Sequence, residues 1–332
     1  MHISTRRNFI NTAANAALGL SVSPHLTAQP SDTSVSQTGL VWDDRYIDHT
    51  QGEDHPESPM RLKAIDWQLQ ANGIKDRLYP IAATADPEPY IRMIHSEAHI
   101  EMAKRQAYDD AICRLAVSGA LSAVDAVCMG KVKNAFCALR PPGHHAANNG
   151  EYGFCFYNNV AAAARYAQKQ YGLGKALIVD WDYHHGDGTE WAFYDDPSVL
   201  TCSTHALHAF PRSGATDRTG TGAGRGYNLN IPLPAAAKDS DILQAFKETL
   251  LPRAYTFKPD IVFISAGFDA RHHDPLGDFN ITDDGFAHLT QLIMELAQEH
   301  SEARTISLLE GGYNTHGLAL AVEAHIRVLM DG

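Results

Sequence analysis

Basic residues are in deficit. Against 39 Asp and Glu the 332-residue chain carries only 27 Lys and Arg, a formal charge of -12, so the broad positive face that binds nucleic acid is not expected. No uninterrupted apolar stretch approaches the ~20 residues of a bilayer-spanning helix, so no membrane span is expected either. Cysteine is scarce: Cys113, Cys128, Cys137, Cys155 and Cys202 make an odd set with no C-x-x-C pair, which excludes a thiolate zinc site and leaves buried reduced thiols as the expectation. Internal repeats, low-complexity tracts and linker-like shifts of composition are also missing, so one domain is the simplest reading. With 44% hydrophobic residues the chain can bury a large core, which excludes a disordered or fibrous protein.

The N-terminus reads as a targeting segment. Ser4-Thr-Arg-Arg-Asn-Phe-Ile10 precedes an Ala-rich apolar stretch and the small-residue site Leu26-Thr-Ala28, the pattern of a twin-arginine export signal. The expectation is a removed signal over 1–28, a catalytic domain over 29–332, and a protein exported to the periplasm.

Beyond it, short apolar runs alternate with helical patterns. Ala135–Leu139, Ala176–Val179, Val199–Leu200, Ile261–Ile264 and Ile306–Leu309 are separated by stretches such as Asn158–Gln170 and Asp283–Gln298, the rhythm of a parallel α/β sheet whose strands are buried on both faces. Ligands of such sheets gather beyond the carboxyl ends of the strands. Four of the runs end in chemistry: Arg140-Pro-Pro-Gly-His-His145, Asp180-Trp-Asp-Tyr-His-His-Gly-Asp187, Ser265-Ala-Gly-Phe-Asp269 and Glu310-Gly-Gly-Tyr313. Alternation along an extended chain would turn Asp180, Asp182 and His184 to one side and Trp181 and Tyr183 to the other. Asp182 and His184 with Asp269 then make three ligands for a catalytic zinc, which needs an open fourth position. Asp180 and Asp187 offer one carboxylate to each ring of the His144-His145 pair. His49, His55, His205, His208, His272 and His273 carry no comparable pattern and are assigned to loops or the rim.

These motifs, with His55-Pro-Glu-Ser-Pro-Met-Arg61, Gly153-Phe-Cys155 and Asn158-Asn159 in the same order, resemble the zinc-dependent histone deacetylase family, which includes bacterial acetylpolyamine amidohydrolases. Pro-Pro-Gly-His-His and Asp-Trp-Asp look closest to its class II branch. The resemblance covers most of residues 40 to 329 and implies a single-domain arginase/deacetylase fold, an α/β architecture with a central eight-stranded parallel sheet flanked by helices.

It also implies roles. Zinc would sit on Asp182, His184 and Asp269. His145, paired with Asp187, would be general base and then general acid, His144, held by Asp180, would stabilise charge, and Tyr313 would donate to the oxyanion. Gly153, Phe154 and Phe210 would line the acyl channel. Potassium would bind at Asp180, Asp182, His184, Ser203 and Thr204, and at a second site formed by Phe193, Asp196, Val199 and Tyr227. The implied substrate is an acetylated peptide or a small acetylated amine. Leu276 stands where the polyamine-selective eukaryotic branch has a glutamate, which favours acetyl-lysine over acetylpolyamines. The stretch between His95 and Gly119 is too short for the family's backbone-fixing aspartate; Asp109 and Asp110 are possible stand-ins, or simply a helix start. Two other readings compete. Arginases on the same fold present Asp-x-His-x-Asp for two manganese ions, whereas here the order is Asp180-x-Asp182-x-His184. A non-catalytic acyl-binding protein would not need Tyr313 and the full ligand set.

Overall fold

A computed structural model describes residues 38–106, 109–147 and 153–332; the expected export signal lies outside the described residues. Eight strands form one sheet: β1 (Thr38–Val41), β2 (Tyr79–Ile81), β3 (Asn134–Cys137), β4 (Ala176–Asp180), β5 (Val199–Ala206), β6 (Asn228–Leu233), β7 (Ile261–Ala266) and β8 (Thr305–Leu309). Their order is β2-β1-β3-β8-β7-β4-β5-β6, and every pairing is parallel. The eight-stranded parallel sheet is therefore as expected. β7 and β8 are inserted between β3 and β4, so the four motif-bearing strands are neighbours at the middle of the sheet. Their carboxyl ends share one edge.

Ten α-helices are described: α1 (Met60–Ala71), α2 (Glu88–Ile94), α3 (Glu97–Gln106), α4 (Asp110–Cys128), α5 (Asn159–Tyr171), α6 (Asp187–Phe193), α7 (Asp239–Ala245), α8 (Leu251–Phe257), α9 (Asp283–His300) and α10 (Thr315–Asp331). They pack as two groups, α2, α4 and α5 in one, and α1, α9 and α10 in the other with α7 and α8 against α9. With both faces covered, β3, β4, β5, β7 and β8 are buried along their whole length, and all but β5, which is apolar only at its start, read as mainly apolar runs. β2 and β6 are edge strands interrupted by Pro80 and Pro232, residues a sheet tolerates at its edges. That irregularity, with the brevity of β1, hid all three from the periodicity reading. α4 is apolar and long enough by composition to cross a bilayer, but most of it is buried inside the fold. All five cysteines are free; Cys128 is half-buried and the others are buried.

Charge also organises the interior. Glu57, wholly buried, lies between two buried arginines: Arg140 Nε donates to Oε1 at 2.5 Å and Nη2 to Oε2 at 2.8 Å, while Arg61 Nη1 donates to Oε1 at 3.1 Å. Burial opposes ionisation of Glu57, but Arg140 and Arg61 hold its carboxyl below the usual range. Arg140 also donates to the carbonyls of Tyr46 and His49, and Arg61 to those of Glu310 and Gly312. The loops after β3 and β8 are thus tied to one carboxylate.

Several histidines are buried in the neutral form. His325 of α10 donates from Nδ1 to Thr290 Oγ1 (2.6 Å) and accepts at Nε2 from Ser307 (2.7 Å), and burial pushes its pKa down to about 3. An unfolded histidine titrates near ~6.5. Between those values the unfolded chain holds a proton that the folded chain refuses, so the stability linked to this group is complete above about pH 6.5 and is lost as pH falls toward 3. Urea unfolding should therefore show declining stability from pH 6.5 to pH 4. His325→Gln should make that slope shallower by one group's share, and an unchanged slope contradicts this account.

Candidate metal centre and active site

β4 stops at Asp180, and residues 182–184 are bends instead of a continued strand. The expected alternation is replaced by two side-chain turns: Asp182 N donates to Asp180 Oδ1 (3.0 Å) and His184 N to Asp182 Oδ1 (2.9 Å). The outcome for the side chains is nearly the one expected. Trp181 goes into the core against Phe246, Phe286 and His325, while Asp182 and His184 meet Asp269 from the end of β7. One ligand atom from each of the three lies within 4.8 Å of the others. His184 Nδ1 is 3.2 Å from Asp182 Oδ1 and 3.0 Å from Asp269 Oδ2.

Further hydrogen bonds fix these carboxylates. Gly311 N donates to Asp182 Oδ2 (2.8 Å) and Tyr183 N to Asp269 Oδ1 (2.8 Å). A Cβ at Gly267 would collide with the Asp182 carboxylate, and one at Gly311 would lie 2.6 Å from Asp182 Oδ2. The glycines let two strand ends close on the acids.

The field at this cluster is strongly negative. Burial alone would depress His184, but its bonds to Asp182 and Asp269 and their charges carry the ring up to about 10. Burial and the charge of Asp182 push Asp269 up to about 7, whereas His144 and His184 outweigh burial at Asp182 and hold it low. Two carboxylates held together only by the protonated form of the imidazole between them fit a divalent cation of the zinc type in donor chemistry and charge.

His144 Nδ1 donates to Asp180 Oδ2 (2.9 Å) and His145 Nδ1 to Asp187 Oδ1 (2.7 Å). Their ring centroids are 4.0 Å apart. The two differ electrostatically. Burial opposes protonation at both, yet Asp180, Asp182 and Glu310 raise His144, whereas burial and the charge of His144 lower His145 to about 4. Glu310 was left without a role by sequence reasoning, although it follows an apolar run directly. Its Oε2 accepts from Gly143 N (2.7 Å) and His144 N (3.1 Å), and Ser265 Oγ donates to Oε1 (3.1 Å). It locks the histidine loop to β7 and β8.

Above the cluster opens a cleft of about 470 Å³ lined by His145, Gly153, Phe154, His184, Phe210, Leu276 and Tyr313. Phe154 packs edge-on to Tyr313 (5.8 Å between centroids) and Phe210 edge-on to His145 (5.1 Å). Gly153 has φ +44°, and a Cβ there would strike the His145 ring, so both its conformation and its space demand glycine. Phe210 and Leu276 are partly exposed at the mouth.

Comparison with known proteins matches this arrangement. A histone deacetylase domain model matches residues 55–329. This chain belongs to the histone deacetylase family. Histone deacetylase 15 of Arabidopsis thaliana is 36% identical over 324 residues, covering 90% of this chain and 58% of that protein. Polyamine deacetylase HDAC10 of Mus musculus is 37% identical and that of Homo sapiens 36%, each over 331 residues, 92% of this chain and 48% of theirs. The chain thus spans about half the length of the curated relatives it matches. The crystal structure of the HDA15 HD domain superposes with a TM-score of 0.84 at 35% identity, covering 90% of this chain and 89% of that one. The arginase/deacetylase fold follows from that match.

Other expected positions in this histone deacetylase domain can now be placed. Asp180 pairs in register with Ser203 of β5, and Thr204 Oγ1 reaches the Asp180 carbonyl at 3.4 Å. Phe193 O accepts from Asp196 N (3.0 Å) and Tyr227 O from Thr201 N (3.0 Å), two residues into the strand that Val199 begins. The Asp196 carboxylate is engaged by Arg165 and Ser198.

Asp109 caps α4, accepting from Ala111 N and Ile112 N, and Asp110 is held by Arg114 and Tyr157; neither lines the cleft, and the helix-start reading holds. Two expectations are corrected. His205 is buried in β5, accepting from Ser203 Oγ and donating to Gly214 O. His49 is buried against Phe156, beside Glu57. Single histidines carry no periodic signal, and their partners are set by tertiary packing. By contrast His55 does sit at the cleft, edge-on to Phe154 at 4.4 Å.

Asp269→Asn should keep the fold while sharply reducing zinc bound per chain after dialysis, measured by elemental analysis. Full zinc retention contradicts the ligand assignment.

Proposed function

We propose that this chain is a zinc-dependent amidohydrolase that releases acetate from N-acetylated amines, with acetyl-lysine side chains as the favoured substrate. The reading is carried by one observation: the Asp182, His184 and Asp269 cluster lies at the floor of a cleft walled by Phe154, Phe210 and Tyr313. Zinc held by those three residues supplies carbonyl polarisation and a water of lowered pKa. Phe154 and Phe210 would clasp the aliphatic stem. His145, its Nδ1 committed to Asp187, has Nε2 left to take the proton of the attacking water and later deliver it to the leaving amine. His144, tied to Asp180, would hold positive charge beside the developing tetrahedral centre. Tyr313 would donate its phenol to the oxygen that gains charge, an interaction stronger in the transition state than in the ground state. Potassium at the two sets of donors named above, with the first beneath Asp180, belongs to the same proposal.

A second substrate reading has its own support. Two of the relatives are polyamine deacetylases at 37% and 36% identity, so small acetylated amines are the alternative. Leu276 provides no counter-charge at the mouth for a distant ammonium, which favours the peptide. Export is proposed from Arg6, Arg7 and the site at Ala28, with 29–332 as the mature catalytic domain; N-terminal sequencing of the protein from the periplasmic fraction tests it.

Acetate release by the zinc-loaded protein should give a higher kcat/KM for an acetyl-lysine peptide than for N-acetylputrescine. The reverse order moves the substrate to polyamines, and no release from either contradicts the activity. Tyr313→Phe should lower kcat by about 100- to 1000-fold with little change in KM. An unchanged kcat rejects its role.

A further inference from the structure

Asp274 is a buried acid outside both the ligand cluster and the histidine pairs. It begins Asp274-Pro-Leu-Gly277 and spends both oxygens on main-chain donors from two loops. Oδ1 accepts from Leu276 N (2.9 Å), and Oδ2 accepts from Tyr313 N (2.7 Å) and Asn314 N (3.0 Å). Asn314 answers by donating its side-chain amide to His273 O (3.1 Å), while its oxygen caps α10 through Gly317 N (3.1 Å). The segment after β7 and the loop after β8 are therefore laced together around one carboxylate. On one side hangs Leu276 at the cleft mouth, and on the other Tyr313.

The chemistry demands an acid. Two successive N–H groups converge on a single oxygen while a third takes the other, a pattern that suits an acceptor-only group with lone pairs on both atoms. An asparagine would turn an NH2 toward donors on one side. Gly277 presses the same segment against the Asp269 carbonyl, since a Cβ at Gly277 would run into that oxygen, so the segment has little room to drift.

We propose that Asp274 is a positioning residue: by anchoring the main chain of Tyr313 it sets where the phenol meets the reacting carbonyl, and it couples that placement to the Leu276 wall. The proposal rests on Tyr313 being the oxyanion donor. A displacement of about 1 Å at a reacting group commonly costs ~100-fold in rate.

A double-mutant cycle tests it, on zinc-loaded protein with zinc content checked for each variant. Asp274→Asn should lower kcat on the acetyl-lysine peptide by about 10- to 100-fold, with KM changed less than about threefold. In the Tyr313→Phe background the same change should cost almost nothing further, because the group it positions is gone. Undiminished loss in that background, or a loss confined to KM, overturns the proposal. If Tyr313→Phe alone leaves kcat unchanged, the oxyanion assignment itself has failed, a different result on a different variant. Should Asp274→Asn fail to fold, Asp274→Ser, which keeps a short acceptor, goes through the same cycle. Wild-type kcat in a folded Asp274→Ser also counts against the proposal.

Discussion

Four carboxylates that must be buried together govern this structure. Asp180, Asp182, Asp269 and Glu310 come from the carboxyl ends of β4, β7 and β8, three adjacent strands, and all are essentially inaccessible to solvent. Like charges so placed repel and each resists desolvation. The protein answers with imidazoles and main-chain N–H groups: His144 for Asp180, His184 for Asp182 and Asp269, Gly311 N for Asp182, and Gly143 and His144 N–H for Glu310. Those answers still leave Asp269 raised to about 7 and His184 to about 10. A divalent cation relieves the same field without a borrowed proton, which is the physical reason for reading the cluster as a metal centre.

The remainder of the edge is arranged to keep that cluster in place. Glu57 between Arg61 and Arg140 fastens the loops after β3 and β8, and a buried acid flanked by two guanidinium groups is useful for geometry more than for net stability. Glycine recurs where the chain closes on a carboxylate or an imidazole, at Gly267 and Gly311 beyond the strand ends and at Gly153 in the loop before α5. Asp274 extends the same device toward the cleft mouth. The family match and the geometry bear on different questions: the first places the chain among histone deacetylases, and the second says how its own residues could divide the work.

Much of this was legible in the sequence, for a physical reason. Strands buried on both faces need no alternating polar positions, so β3, β4, β7 and β8 stood out as mainly apolar runs, and the residues after them marked the active edge. The edge strands β2 and β6, with proline or asparagine in short runs, and the four-residue β1 beside them were missed because they show no period. Asp182, His184 and Asp269 were found by spacing, although Asx-type turns and not strand alternation direct the first two. His49, His205 and Asp274 were illegible. Their burial and roles come from partners distant in sequence, such as Gly214 O and Tyr313 N, which no local pattern announces. Asp109 and Asp110 follow the local reading of a helix start, committed to capping α4 and to Arg114 and Tyr157.

The central claim is that one cation at Asp182, His184 and Asp269 makes this cleft an amide hydrolase. Titrating zinc into chelator-stripped protein while following acetate release from an acetyl-lysine peptide tests it most directly. The account predicts no release without metal, a linear rise, and saturation at one zinc per chain. Activity in the stripped protein, or a maximum that requires two ions per chain, would contradict it.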